Sequence, residues 1–274
     1  MMKDTTSSVA GAIQNPKAPD PPRADGPPKA DRPPIVIRGL RKSFGSQVVL
    51  NGIDLTIDSG KTVSILGQSG AGKSVLLKLI IGLQAPDAGT IEIHGQDIAN
   101  ASHEELTEIR KKIGFLFQNG ALYDSLTVAQ NVGFPLARHT QLTREEREQR
   151  VHELLSKVGM ERDAAKMPSE ISGGMQKRVG LARALALDPE IVLFDEPTAG
   201  LDPVTADEID GLIAQLKSDR HMTSIVVTHD IHAVRLVSDR IVMLRQGNVV
   251  MDGTFEDMQK DKDEFIVRFL KTAA

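Results

Sequence analysis

The run GQSGAGKS, from Gly67 to Ser74, satisfies the spacing G-x-x-x-x-G-K-[ST] in full. Its chemistry is anion binding. Gly67, Gly70 and Gly72 let successive backbone N–H groups, including those of Gln68, Ser69 and Ala71, turn inward around phosphate oxygens. Side chains at the glycine positions would block that concavity. Lys73 would neutralise the terminal phosphates of a nucleotide and Ser74 would bind Mg²⁺, while the following helix presents its positive N-terminus.

Asp195 and Glu196 follow the apolar run IVLF. A strand that ends in two acids puts both carboxylates at the carboxyl edge of a parallel sheet, where the phosphate loop also opens. The first acid would hold Mg²⁺, directly or through water, and the second could polarise an attacking water. The plainer alternative is a pair of acids capping the loop before Pro197. His229 ends the run SIVVT at the same edge, so a contact to a γ-phosphate competes with a purely structural role. Gln118 closes IGFLF; its amide is either a ligand for Mg²⁺ or water at a hinge, or a polar strand end. Asp202 before Pro203 has the pattern of a helix cap with proline at the first helical position.

A second glycine-rich helix start reads ISGGMQKRVG. Ser172, Gly173 and Gly174 open a helix with Val179, Ala182 and Leu185 on one face. Free N–H groups at its N-terminus form an anion site that lacks the lysine and acid of a complete nucleotide pocket. A partial site beside a complete one suggests two copies assembling head to tail; a flexible SGG joint is the alternative.

These residues need a scaffold, and the hydrophobic pattern supplies one. From Ile35 short β-branched runs recur as IVIRGL, IDLTI, VSIL and TIEIH, each with the character of a strand. VSIL enters the phosphate loop and then SVLLKLII, which stops at Gly82, giving strand, loop and helix in order. A helical middle follows. Thr143 and Glu146 have capping-box spacing, Val151, Leu154, Leu155 and Val158 share a face, and Gly159 stops the helix. The charge run REEREQR is read as that helix's solvated side. The α/β alternation resumes with IVLF, a helix bearing Ile209, Leu212, Ile213 and Leu216, and SIVVT.

With 274 residues, 40% hydrophobic, and a net charge of -4, the chain is long enough for one large core with appendages. No basic block points to nucleic acid or to anionic lipid. The absence of cysteine excludes disulfides, thiolate catalysis and Cys-ligated metals. The longest apolar run, Val75 to Leu83, is far below the roughly 20 residues that span a bilayer, so other chains must cross any membrane served. Eight of the fourteen prolines lie in residues 1–34, which are expected to form a disordered tail, with a docking ligand as the alternative. The apolar stretch EFIVRFL, Glu264 to Leu270, would dock either on its own domain or on a neighbouring subunit.

GQSGAGKS, Gln118, ISGGMQ, IVLFDE, AGLD at 199–202 and His229, in that order, resemble the ATPase subunit of an ATP-binding-cassette (ABC) transporter. The likeness runs from about residue 35 to 255. It implies an α/β fold, a P-loop NTPase with a RecA-like core and an antiparallel β subdomain, over residues 35–254. A helical subdomain would be inserted at about 119–186, and a C-terminal helical segment would occupy 255–274. It further implies a homodimer with ATP sandwiched between subunits, Ser172, Gly173, Gly174, Met175 and Gln176 of one facing the phosphate loop of the other. Glu196 would be the general base, His229 the γ-phosphate sensor, Asp202 a dimer-interface residue and Gln118 the link to a transmembrane permease. Phe44, in KSFG, stands where the family usually stacks a tyrosine on adenine. The family's usual LSGGQ is altered here: Met175 takes the fifth position and Gln176 follows, which puts the glutamine's usual contact in question.

The run NGALYDSLTVAQNV, with SVLLKLIIGL and SGGMQKR, is similar to the ATPases of Mla/Mce lipid-transport systems. That resemblance implies a permease and a lipid-binding Mce protein as partners, at the cytoplasmic face of the inner membrane. Polar amino-acid importers are the nearest alternative, although they typically carry Phe-Pro-His where LYDS stands. A soluble ABC ATPase of assembly or repair is the alternative from another class; the long coiled coils of repair forms are missing.

Overall fold

The computed structural model describes residues 32–220 and 222–272; most of the proline-rich segment, residues 1–31, lies outside them. In chain order the strands are β1 (Ile35–Phe44), β2 (Gln47–Ile57), β3 (Thr62–Gly67), β4 (Ala88–Ile93), β5 (Gln96–Asp97), β6 (Ile113–Leu116), β7 (Ile191–Asp195), β8 (Thr223–Val227), β9 (Arg240–Arg245) and β10 (Asn248–Gly253). The helices are α1 (Lys73–Ile80), α2 (His103–Lys111), α3 (Val128–His139), α4 (Arg144–Lys157), α5 (Gly173–Ala184), α6 (Pro203–Arg220), α7 (Ile231–Val237), α8 (Phe255–Lys260) and α9 (Glu264–Thr272).

The strands form two sheets. An antiparallel sheet has the order β2-β1-β4-β5, and a six-stranded sheet has the order β10-β9-β3-β8-β7-β6, parallel except for β10. Every residue of β3, β7 and β8 is buried, as expected of parallel strands covered on both faces. Register sets the site: Ile65 lies opposite Val227, and Val227 opposite Asp195. Three strand ends therefore open side by side, carrying the phosphate loop, His229 and the Asp195–Glu196 pair.

Helices α3, α4 and α5 lie between β6 and β7. The Thr143 box at the start of α4 is reciprocal: Thr143 N donates to Glu146 Oε2 at 2.6 Å and Glu146 N to Thr143 Oγ1 at 3.3 Å. Val151, Leu154, Leu155 and Val158 are buried in one cluster with Val132, Val179 and Ala182. Each such aliphatic burial stabilises by about 1.5–3 kcal/mol. The opposite side of α4 is exposed and carries an Arg144–Glu148 pair at 2.8 Å.

Two strands stop earlier than their apolar runs suggest. The chain leaves β6 after Leu116 because Phe117 starts a turn, its carbonyl accepting from Gly120 N at 2.8 Å, so Gln118 lies in a loop. His94 turns out of β4 with φ 49. The C-terminal stretch settles the choice its sequence left open. Ile266 and Phe269 of α9 pack on this chain's own domain, in a cluster with Leu66, Met243 and Met258.

Asp210, on α6, is 1% exposed, and among the described residues neither carboxylate oxygen has a hydrogen-bond partner. Burial, and then the like charge of Asp230, push its pKa up to about 7, with Asp207 raising and His232 opposing. A carboxyl raised in the fold binds its proton more tightly there than in the unfolded chain. It therefore favours folding fully below about pH 4, and this contribution is lost as pH rises through about 7. Asp210→Asn is expected to flatten the decline of thermal stability across that window, by at most about 4 kcal/mol. An unchanged slope in thermal unfolding against pH would remove Asp210 as its source.

Candidate active site

Strand β3 runs directly into the phosphate loop. Gly72 has φ 98, and a Cβ there would meet Val49 O at 2.9 Å and Leu50 Cδ2 at 2.7 Å. Only glycine allows both the left-handed turn and the close approach of β2. Lys73 is 7% exposed and reaches back over the loop, its Nζ donating to Gly67 O at 2.8 Å and Gln68 O at 3.3 Å. Ser74 Oγ donates to Asp195 Oδ1 at 2.7 Å. Asp195 is 5% exposed; burial raises its pKa, an effect that the Ser74 hydrogen bond partly offsets.

Glu196 sits at the centre of the cluster. Its backbone adopts φ 48, a conformation that costs a non-glycine residue roughly 1–3 kcal/mol, and its N–H donates to Val227 O at 2.8 Å. One carboxylate oxygen lies 3.5 Å from Lys73 Nζ and the other 2.8 Å from His229 Nδ1. Next to His229, Asp230 caps α7 through bonds from His232 N at 2.7 Å and Ala233 N at 3.3 Å. A cavity of about 620 Å³ holds Phe44, Gly67, Gln68, Ser69, Gly70, Gly72, Lys73, Ser74, Gln118, Glu196 and His229 together. Asp195 stands behind Ser74, outside the lining.

The second glycine-rich start lies elsewhere. None of Ser172, Gly173, Gly174, Met175, Gln176 and Asp202 lines that cavity. Ser172 caps α5, its Oγ accepting from Met175 N at 3.2 Å. Gly174 is required where α5 meets α6: a Cβ would come within 2.3 Å of Thr205 Cγ2. Gln176 turns away from the helix start and donates from Nε2 to Pro168 O at 2.9 Å. Asp202 caps α6, accepting from Thr205 N at 3.1 Å and Thr205 Oγ1 at 2.6 Å, and this bonding lowers its pKa.

The sequence assigns the lysine one turn into this helix no role, and the structure gives it one beside Glu196. Lys177 is 5% exposed and its Nζ donates to Glu196 O at 3.1 Å; burial holds its pKa below the usual lysine range. The available signal was its i+3 spacing from Gly174, which puts it on the small-residue face that meets the core. At the far end of α5, Arg183 grips the loop after Gln118, donating to Gly120 O and Ala121 O at 2.8 Å each. Asn131, fully buried, clamps the same loop. Its Oδ1 accepts from Tyr123 N, and its Nδ2 donates to the carbonyls of Tyr123, Leu126 and Thr127.

The ABC transporter family model matches residues 50–199, more than half of the chain. The chain belongs to the ABC transporter ATPases. It is 42% identical over 237 residues to the intermembrane phospholipid transport system ATP-binding protein MlaF of Haemophilus influenzae, covering 86% of this chain and 90% of that one. The probable ribonucleotide transport ATP-binding protein mkl of Mycobacterium tuberculosis is 45% identical over 86% of this chain and 66% of its own length. The methionine import ATP-binding protein MetN 2 of Enterococcus faecalis is 40% identical, over 88% and 71%. Among solved structures, the dimeric post-hydrolysis state of the ATP-binding cassette MJ0796 with ADP and Pi superposes with TM-score 0.75 at 37% identity, covering 80% of this chain and 98% of that one. The fold is that of an ABC cassette, and the subunit is an ATPase. ABC cassettes dimerise and pair with transmembrane permease subunits, and no helix among the described residues is long and apolar enough to cross a membrane.

Proposed function

We propose that this ABC ATPase powers the movement of phospholipids or related lipids between membranes. It does so as a homodimer on the cytoplasmic face of the inner membrane, with a permease and a lipid-binding Mce-type protein. The observation that carries the reading is the 42% identity to MlaF across 90% of that protein's length.

In this reading the two halves of the site come from different copies. Ser172 to Gln176 and Asp202 of one subunit face the phosphate loop of the other, which accords with their separation from the cavity within one chain. Phe44 stacks on the adenine ring. The backbone N–H groups of residues 67–74 and Lys73 hold the phosphates. Glu196, gripped between Lys73 and His229, takes the proton from the attacking water, and His229 meets the γ-phosphate. Lys177 keeps the Glu196 backbone in its left-handed turn.

The oxygen donors of Ser74 and Asp195, 2.7 Å apart, and the amide of Gln118 suit Mg²⁺, which takes few protein ligands beside substrate phosphates and water. When bound, Mg²⁺ neutralises charge on the phosphates. The raised pKa of Asp195 fits such a site, because a buried carboxylate gains most from a neighbouring cation. Tyr123, in the loop after Gln118, and Phe134, on α3, form an exposed aromatic pair with ring centroids 4.8 Å apart. This pair fits the permease contact.

Purification of the tagged full chain from native membranes tests the reading. A multispanning partner with co-purifying phospholipid is expected. Recovery with an amino-acid permease, and ATPase stimulation by methionine instead of lipid, would replace it with the importer reading that the likeness to MetN 2 allows.

A further inference from the structure

The wall of the cavity that holds the phosphate loop includes a side chain far along the chain from every motif. It is Phe269, on the C-terminal helix α9, and with Phe44 it makes up the phenylalanines of the wall. Phe269 is 9% exposed and belongs to the apolar cluster of Leu66, Met243 and Ile266. Leu66 immediately precedes Gly67, where the loop begins.

Helix α9 flanks the loop on a second side too. Another cavity, about 650 Å³, lies between Gln68–Ala71 and the first turns of α9, where Phe265 and Arg268 line it. Residues Gln68, Ser69 and Gly70 border both spaces and so form a thin partition between them. A Cβ at Gly70 would enter open space. The seat of α9 is well defined. Asp263 accepts from Phe265 N at 2.8 Å and Ile266 N at 3.3 Å, and the Arg245 guanidinium, at the end of β9, lies 4.6 Å from the Phe265 ring centroid.

We propose that Phe269 is a positioning residue for ATP. Its ring holds the first half of the phosphate loop, Gln68 to Gly70, in the curve that receives phosphates, so this one side chain of the C-terminal helix sets nucleotide affinity. The inference rests on the phosphate loop being the ATP site. A ring with its body in the core and its edge on the cavity loses contacts on both sides when truncated, and the void opens beneath the loop.

The test is ATP affinity and the split between KM and kcat in full-length Phe269→Ala, Phe269→Leu and Ile266→Ala. Ile266 is fully buried on the same helix and does not line the cavity, so its truncation loosens α9 without removing the ring. Phe269→Ala is expected to raise Kd and KM for ATP by about 5- to 20-fold, with kcat at saturating ATP within about twofold of wild type. Phe269→Leu recovers most of the affinity, and Ile266→Ala lowers the unfolding temperature while Kd stays within about twofold. Unchanged Kd in Phe269→Ala overturns the proposal, as does an equal loss in Ile266→Ala. If Phe269→Ala does not fold, Phe269→Leu decides, with a Kd rise of about two- to threefold expected and none overturning. Lys73→Ala separates the two levels: if it too leaves Kd unchanged, the phosphate-loop reading itself has failed.

Discussion

Glu196→Gln is expected to bind ATP nearly as well as wild type and to lower its turnover by about 10²- to 10⁴-fold, the usual contribution of general base catalysis. Glutamine keeps the shape of the side chain and can still bond to His229, 2.8 Å away, but it cannot accept a proton. Its neighbours change little, because the backbone at φ 48 is held independently by Val227 O and Lys177 Nζ. ATP should therefore trap a dimer that does not reopen. Steady-state turnover with size-exclusion chromatography in ATP reads both effects, and turnover within about twofold of wild type would reject Glu196 as the base.

Lys73→Ala acts one step earlier. A charge-assisted hydrogen bond contributes about 1.5–3 kcal/mol, so removing the ammonium should weaken ATP binding by roughly 10- to 150-fold. The variant also frees the carbonyls of Gly67 and Gln68 from their shared donor and leaves Glu196 Oε1 without its cation, 3.5 Å away. Both changes disturb the same pocket, so kcat should fall along with affinity. Equilibrium binding of a fluorescent ATP analogue measures the first effect. An unchanged dissociation constant would sink the phosphate-loop assignment.

Local features were legible from the sequence where one physical cause dominates. The β3–loop–α1 unit is marked both by an apolar run and by glycines at fixed spacing, and the Thr143 box announces α4 by itself. The meeting of Glu196 with His229 was partly legible, since parallel neighbours must end together; which acid meets the ring depends on the left-handed turn at Glu196. Residues whose role depends on a distant surface were not legible. Lys177 shares a face with Gly174, and only the laying of α5 against the Asp195–Glu196 turn says what its ammonium meets. Asp210 follows Ile209 on a helix whose apolar face is evident, and only the packing of α7 makes it a buried acid. For EFIVRFL, the pattern tells that a face must be covered and is silent on what covers it.

Helix α5 is gripped at both ends: Arg183 holds Gly120 and Ala121, and Gln176 ties the opening turn to Pro168. Its 12 residues span about 18 Å. A linkage pinned this way has almost no backlash. If the proposed permease contact and the shared ATP site hold, a tug on the loop after Gln118 would arrive at Ser172 as a shift of the whole rod, so traffic at the membrane and the closing of a neighbour's phosphate loop would keep the same beat.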